Sequence, residues 1–236
     1  MAFSITSIPS IMRHRGWLNG ARLMEIWFSR GSATKPAYGP PETSTIRMSW
    51  ALSFSRAKDV YDQLMRERIW TADAVRPGLA SMLRTKGLLS AEPLTTPFGN
   101  LNAPVEIIDR DYIRHNSRAV GALSDPLDDM FAALHSFNFR VAVSGGVAPA
   151  SNGAWLVTIS EVGVYVQDSY DFEGFQPLGT WDTKTNSVSK TPLGAGTSVG
   201  NDDFREWRTS TGMGGDFVVF SDVLVTRLHQ PDELYI

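Results

Sequence analysis

Cysteine is missing from all 236 residues, which excludes disulfides, thiolate metal sites and cysteine nucleophiles. Histidine is scarce. His14, His115, His135 and His229 stand far apart, without the HExxH or HxH spacing of a histidine-built zinc site. No apolar run reaches the length of a membrane span, and the first residues lack the apolar core of a secretion signal. The expectation is a protein made in the cytoplasm without a signal peptide, carried elsewhere only by a route other than general secretion. The glycine-rich stretches "SGG" and "GAGTSVG" have neither the pattern nor the strand–helix context of nucleotide loops. No serine stands with a histidine and an acid at recognisable spacing, so a serine hydrolase is unsupported. Nor is there a dense basic patch interleaved with aromatics, so nucleic acid is not an expected partner.

What the chain does have is an ordinary globular balance, 42% hydrophobic and 20% charged, enough to bury a core in one large domain or two small ones. The net charge of −3 hides an asymmetry. Residues 1–118 carry 16 Lys and Arg against 10 Asp and Glu, and residues 119–236 carry 6 against 15. A basic half favours anionic surfaces and an acidic half favours cations, although solvated faces of two sub-structures explain the numbers more simply.

The hydrophobic period changes along the chain. In "WLNGARLMEIWFSR", Trp17, Ala21, Met24, Trp27 and Phe28 recur at helical spacing. "KPAYGPPETS" breaks the chain, and "TIRMSWALSF" alternates as a strand would. Ser55 is placed to cap a helix over "SRAKDVYDQLMRERIW", with Val60, Leu64 and Ile69 facing inward. A further helix is expected over 72–86 with Gly87 as its C-cap. A loop follows over 88–104, then a weaker helix over 106–119 and an Asp-Pro helix start in "DPLDDMFAALHSF". After His135 the period becomes two. "FNFRVAVSGGV" puts Phe137, Phe139, Val141 and Val143 on one face, and "AWLVTISEVGVYVQDSYDF" reads as two strands hinged near Ser160–Glu161. "TWDTKTNSVSK" reads as a hairpin, and "PLGAGTSVGN" as a loop delivering Asn201 as the cap of a short helix. "GGDFVVFSDVLVTRL" closes the chain as one long strand or a bent pair. The class is α+β: a mainly helical region over 1–104 packed on an antiparallel β-sheet or half-barrel over 105–236.

The stretch "QDSYDFEGFQPLGTW", residues 167–181, carries the candidate chemistry. In an extended strand Asp168 and Tyr170 point to the same side. Asp171 joins them only if the backbone turns, and "DFEG" favours a turn. Converging carboxylates suit Mg²⁺ or Ca²⁺, or an acid/base pair held at different pKa values. The plainer reading is an Asx-type turn beside a half-buried tyrosine. In "FREWR", Arg205 and Arg208 lie on one helix face near Trp207, where two guanidinium groups could grip phosphate. Pairing with the acidic surroundings is the plainer role for them.

With those residues in hand, "SNGAW", the alternating strand and "DSYDF" resemble the catalytic domain of the colicin M family of bacteriocins. The resemblance covers about residues 137–228, and its sharpest element is five residues long. That family consists of phosphatases of lipid II, which act in the periplasm with a divalent metal. The resemblance implies a metal-dependent site at Asp168 and Asp171, with Mg²⁺ as the expected cofactor, Tyr170 beside it and a lipid-linked wall precursor as substrate. The family motif continues, five residues on, with a His-Arg pair, and the matching positions here are Pro177 and Leu178. The lost function would have to come from Arg205, Arg208 or His135. The whole chain, from "GWLNGARLMEIWFSRG" to "GGDFVVFSD", is also similar to a domain-of-unknown-function family commonly encoded beside type VI secretion spike genes. That likeness implies an antibacterial effector delivered to the periplasm of a target cell, partnered by a spike or adaptor protein and a cognate immunity protein. The alternative it leaves open is a non-enzymatic cargo, adaptor or spike-associated binding module with a degenerate fold.

Overall fold

The computed structural model describes residues 3–34, 38–91, 94–111, 116–191 and 196–236, the side chain of Asn152 excepted. His115, residues 35–37 of the expected break, 92–93 of the loop, 112–115 of the expected helix and 192–195 of the expected glycine loop lie outside them. The helical stretch contains α1 (Ile8–His14), α2 (Leu18–Ser29), α3 (Met48–Ala51), α4 (Ser55–Glu67) and α5 (Arg76–Thr85). Then come β1 (Thr96–Phe98), α6 (Val105–Asp111), β2 (Asn116–Val120), α7 (Asp129–Leu134), β3 (Phe137–Pro149) and β4 (Trp155–Tyr170). The chain ends with β5 (Pro177–Asp182), β6 (Ser187–Ser189), β7 (Thr197–Gly200), α8 (Asn201–Thr211), β8 (Phe217–Phe220) and β9 (Leu224–Tyr235). The protein is α+β, with an antiparallel six-stranded sheet in the order β1-β3-β4-β8, β2 beside β3 and β9 beside β4. A three-stranded sheet has the order β6-β5-β7.

Two compact units make up the chain. The first gathers Met1–Ile46, Gly121–Phe137 and Asp168–Val219; the second gathers Arg47–Val120, Asn138–Gln167 and Phe220–Ile236.

In the first unit α2 buries Ala21, Leu23, Met24 and Trp27, and Trp17 just before it, as the helical period requires. Trp17 has no side chain with which to cap α2, and Asp129 of α7 does so instead. Its carboxylate accepts from the Gly20 amide at 2.9 Å and the Asn19 amide at 3.2 Å. A carboxylate there satisfies orphan first-turn donors and complements the helix dipole. Gly20 permits the approach, because a Cβ on it would lie 2.9 Å from Ala132 Cβ. α7 is itself capped by Asp128, which accepts from Phe131 N at 3.0 Å. Thus α7 starts at Asp128 and not at the expected Asp125–Pro126. An aromatic cluster of Trp27, Phe28, Phe172, Phe204 and Trp207 fills the core, with Phe172 stacked on Phe204 at 3.9 Å. Burial of rings this size contributes about 1.5–3 kcal/mol each.

The second unit is built on β3 and β4, whose register breaks between Ser144 and Gly145. Phe139, Val141 and Val143 are buried as the alternation requires, and Ala142 is buried as well. "AWLVTISEVGVYVQDSYDF" forms one strand, with only a register shift between Ile159 and Glu161 where the hinge was expected. "TIRMSWALSF" forms no strand. It carries the short helix α3, whose first amide, Met48 N, donates to Asp222 Oδ1 at 2.7 Å. Ser55 is the first residue of α4 and caps nothing. The expected helix over 106–119 gives way to α6 and then β2, and the loop over 88–104 contains β1. Residues 72–86 open as a 3-10 turn before α5, and the closing segment is a pair, β8 and β9.

Candidate functional site

A cavity of about 440 Å³ lies wholly within the first unit, a size that suits a small-molecule site. Its apolar lining includes Ile8, Met12, Met24, Phe131, Trp181 and Phe204. Its polar groups come from the end of β4 with the loop after it, from His135 and Ser136 after α7, from Ser189 and Lys190, and from Asn201 of α8. Exposed Leu123 and Pro177 edge the mouth.

The β4 end brings together all three residues singled out from the sequence. Asp168, Tyr170 and Asp171 line the cavity. β4 stops at Tyr170, Asp171 lines the cavity beside it, and Gly174, at φ +69°, turns the chain further on. The segment is a turn as well as a cavity wall. Glu173 N donates to Asp171 Oδ1 at 3.3 Å, and Ser169 N donates to Asp168 Oδ1 at 2.8 Å. Tyr38 donates its hydroxyl to Asp171 Oδ2 at 3.1 Å.

Asp168 is half-buried. Burial pushes its pKa well above the usual carboxylate range; the Ser169 amide partly offsets this, and the charge of Asp171 adds to it. Tyr170 is 8% exposed and stacks on Phe217 at 5.1 Å. Burial first, and Asp168 second, raise its phenol far above the ordinary value, so it stays a neutral donor.

The two arginines do not line this cavity. Arg205 donates through one Nη to the carbonyls of Phe172 (2.8 Å) and Gly174 (2.6 Å), which ties the loop to α8. Arg208 is buried against Asp216, which is fully buried and also accepts from Trp27 Nε1 at 2.8 Å. The acid pairing weighed for Arg208 is the role the geometry provides. Asn201, expected as a cap, is instead the first residue of α8. Its amide donates to Gln176 O at 3.0 Å and its Nδ2 to Glu173 O at 2.7 Å. Pro177 and Leu178, the positions that match the missing His-Arg pair, line the cavity.

His135 lies there too. Its backbone is at φ 50° and ψ −77°, a region that non-glycine residues rarely occupy. Its Nδ1 is 3.4 Å from Gln176 Nε2, and its ring meets Phe131 edge-on at 4.7 Å. Its buried Nε2 has no hydrogen-bond partner among the described residues. Burial and then the charge of Lys190 lower its pKa, against a smaller opposing effect of Asp125. Lys190 is engaged with the carbonyls of Leu123 (2.6 Å) and Asp125 and lies over the Phe131 ring. No spacing marks His135, Lys190 or Tyr38 in the sequence. Only the change of period at His135 hints at its place.

Among the described residues no three His, Asp or Glu side chains gather as a metal cluster, and no helix is long and apolar enough to cross a membrane. Mg²⁺ commonly needs only one or two carboxylates, with water and substrate phosphate supplying the rest. Asp168 and Asp171 fit that minimal set, on condition that Asp168 gives up its proton.

Fold and cavity together define an α+β protein with a largely apolar pocket that two carboxyl groups line. The chain belongs to DUF6402, a family of unknown function, whose profile matches residues 3–193 and 185–236. No curated protein matches the chain, and no solved structure does.

Proposed function

We propose that the cavity is a hydrolytic site for the phosphoester of a lipid-linked wall precursor such as lipid II, in an antibacterial effector delivered through type VI secretion. The observation that carries this reading is that Asp168, Tyr170 and Asp171 line one cavity together with apolar residues such as Met12, Phe131 and Trp181. An amphiphile would place its chain against Met12, Phe131 and Trp181 and its polar end beside the carboxyl groups. Asp168, whose pKa burial raises, can in its neutral form give a proton to a leaving oxygen. Neutral Tyr170 can donate a hydrogen bond to a phosphoryl oxygen. With Asp168 ionised instead, Asp168 and Asp171 would hold Mg²⁺, which would supply charge neutralisation at the phosphoryl group in place of that proton. Arg205 acts here by fixing the Phe172–Gly174 loop, not by gripping phosphate. The type VI route, a spike or adaptor partner and an immunity protein rest on the sequence likeness.

The second reading, a non-enzymatic cargo or adaptor, is favoured by one observation: Arg208 is spent on Asp216 and Arg205 on carbonyls, with Pro177 and Leu178 where the motif has His-Arg. Expression in the bacterial periplasm against the cytoplasm tests the toxin reading. Lysis with periplasmic expression alone supports it. Equal harmlessness in both compartments rejects it, and stable capture by spike proteins then favours the adaptor.

A further inference from the structure

We infer that the cavity seats one flexible apolar chain of about ten carbons that ends in an oxygen-bearing head, and that the rest of any longer chain stays outside. The inference deepens the hydrolytic reading and rests on it for the phosphoester head alone. Its first support is size. One water's share of liquid volume is about 30 Å³, and a methylene group is of similar bulk, so the 440 Å³ cavity holds about 15 such groups. A phosphoryl head takes about five of them, which leaves space for about ten carbons. The mouth, edged by exposed Leu123 and Pro177, leaves a way out for the remainder.

The second support is how the polar residues of the lining are used. Lys190 donates to the carbonyls of Leu123 and Asp125. Asn201 donates to Glu173 O, Gln176 meets His135, and Asp171 accepts from Tyr38 and the Glu173 amide. Groups engaged with one another give water inside little to bond, and an apolar group gains by displacing water so poorly held. The lining residues most withdrawn from solvent include Ile8, Met12 and Phe204, each at most 2% exposed. Met12 and Met24 add unbranched, adaptable thioethers, which suit a flexible chain. Tyr170 supplies an anchor for the head: a phenol is a donor at neutral pH, and its ring is stacked against Phe217.

Each methylene that enters should tighten binding about 4-fold, the equivalent of about 0.8 kcal/mol. Beyond about ten carbons the gain stops, because further methylenes remain in water. Of a lipid-linked phosphoester the protein therefore reads the stretch of chain next to the phosphate, and a short-chain analogue binds as tightly as a long one. Leu127 limits the space from the loop before α7, and Val188 limits it from β6. Both are half-buried, so a larger side chain there shortens the space without overpacking a fully buried position.

The test is calorimetric titration of the full chain with n-alkyl phosphates from butyl to hexadecyl, each below its micelle concentration. A second series, n-alkanols from butanol to decanol, lacks the phosphate. Turnover of the same phosphates and of lipid II is measured alongside. Expected is a rise in affinity of about 4-fold per methylene up to decyl phosphate and a plateau beyond it, with the alkanols rising in parallel. Leu127→Trp and Val188→Phe should each bring the plateau to a shorter chain, and the wild-type plateau carries the test where a variant does not fold. Affinity independent of length, a rise that continues to hexadecyl phosphate, or a plateau unmoved in the folded variants overturns the inference. Length-dependent binding with the plateau, but no turnover of these phosphates or of lipid II, sustains the chain site and removes the hydrolytic reading. Turnover without length-dependent binding does the reverse.

Discussion

Asp168 sets a conflict between stability and chemistry at the scale of one carboxyl group. Its pKa in the folded chain is raised above the ordinary 3.8, so the native state binds the proton more tightly than the unfolded state. The stability this contributes is complete below pH 3.8 and is lost as pH rises through the folded value. Asp168→Asn, which cannot ionise, should therefore have a higher Tm than wild type at pH 7–8, with the gap closing toward pH 4. Thermal melts at stepped pH check this, and a gap that is constant or reversed contradicts it. Arg208 and Asp216 present the opposite case, a buried pair 8% and 0% exposed. Burial raises the Asp216 pKa, against Trp27 and Arg208. Arg208→Met leaves that carboxyl group without its cation and should lower stability by about 3–5 kcal/mol, read by urea unfolding. The cluster of Asp168, Tyr170 and Asp171 at the end of a strand was legible from the alternation that stops there, and all three line the cavity. His135 was not legible as a cavity residue, because its position depends on Asp129 capping a helix more than 100 residues earlier in the chain.

At the scale of elements, the loop between β4 and β5 is held by the first turns of α8. Asn201 and Arg205 supply side-chain donors to three of its carbonyls. Arg205→Ala should leave global stability within about 1–2 kcal/mol of wild type, the worth of the hydrogen bonds removed. It should nevertheless speed amide exchange at Glu173–Gln176 and lower activity. Unchanged exchange would show that the aromatic stack of Phe172 on Phe204 alone holds the loop. In the sheet, a Cβ on Gly145 would lie 1.9 Å from the Thr158 carbonyl oxygen. Gly145→Ala must open the β3–β4 irregularity, and a loss of about 1–3 kcal/mol is expected, measured by chemical denaturation. Elements with a strong single period were legible: α2, the buried face of β3 and the β5–β6 hairpin. The failures share a cause. "TIRMSWALSF" alternates like a strand, yet the Asp222 carboxylate, 174 residues away, accepts from the first amide of α3 and favours a helix there. Ser55 and Asn201 are cap-forming residues placed one position inside their helices, and the backbone of Phe54 or Gly200 ends the preceding segment instead.

For the molecule as a whole, the distribution of charge matters more than its net value of −3. Ionised Asp168 and Asp171 together repel a phosphorylated ligand unless a cation intervenes. If Asp168 and Asp171 hold Mg²⁺, binding must release the Asp168 proton. Added Mg²⁺ should then raise Tm more at pH 8 than at pH 5, and Asp168→Asn or Asp171→Asn should abolish that difference. An equal rise at both pH values in all three proteins would mean that the ion binds elsewhere. Division into two interleaved units was not legible, because sequence periods report local faces and not which distant stretches pack together. The central claim is that the Asp168 cavity hydrolyses a lipid-linked phosphoester. Its most direct test is incubation of purified wild type and Asp168→Asn with lipid II and Mg²⁺ at pH 7, followed by separation of the freed carrier from the sugar-peptide pyrophosphate. The expected result is release by wild type and at least about a 100-fold slower release by Asp168→Asn, with the variant folded and no less stable. Intact lipid II with wild type, or equal release by both proteins, would contradict the claim.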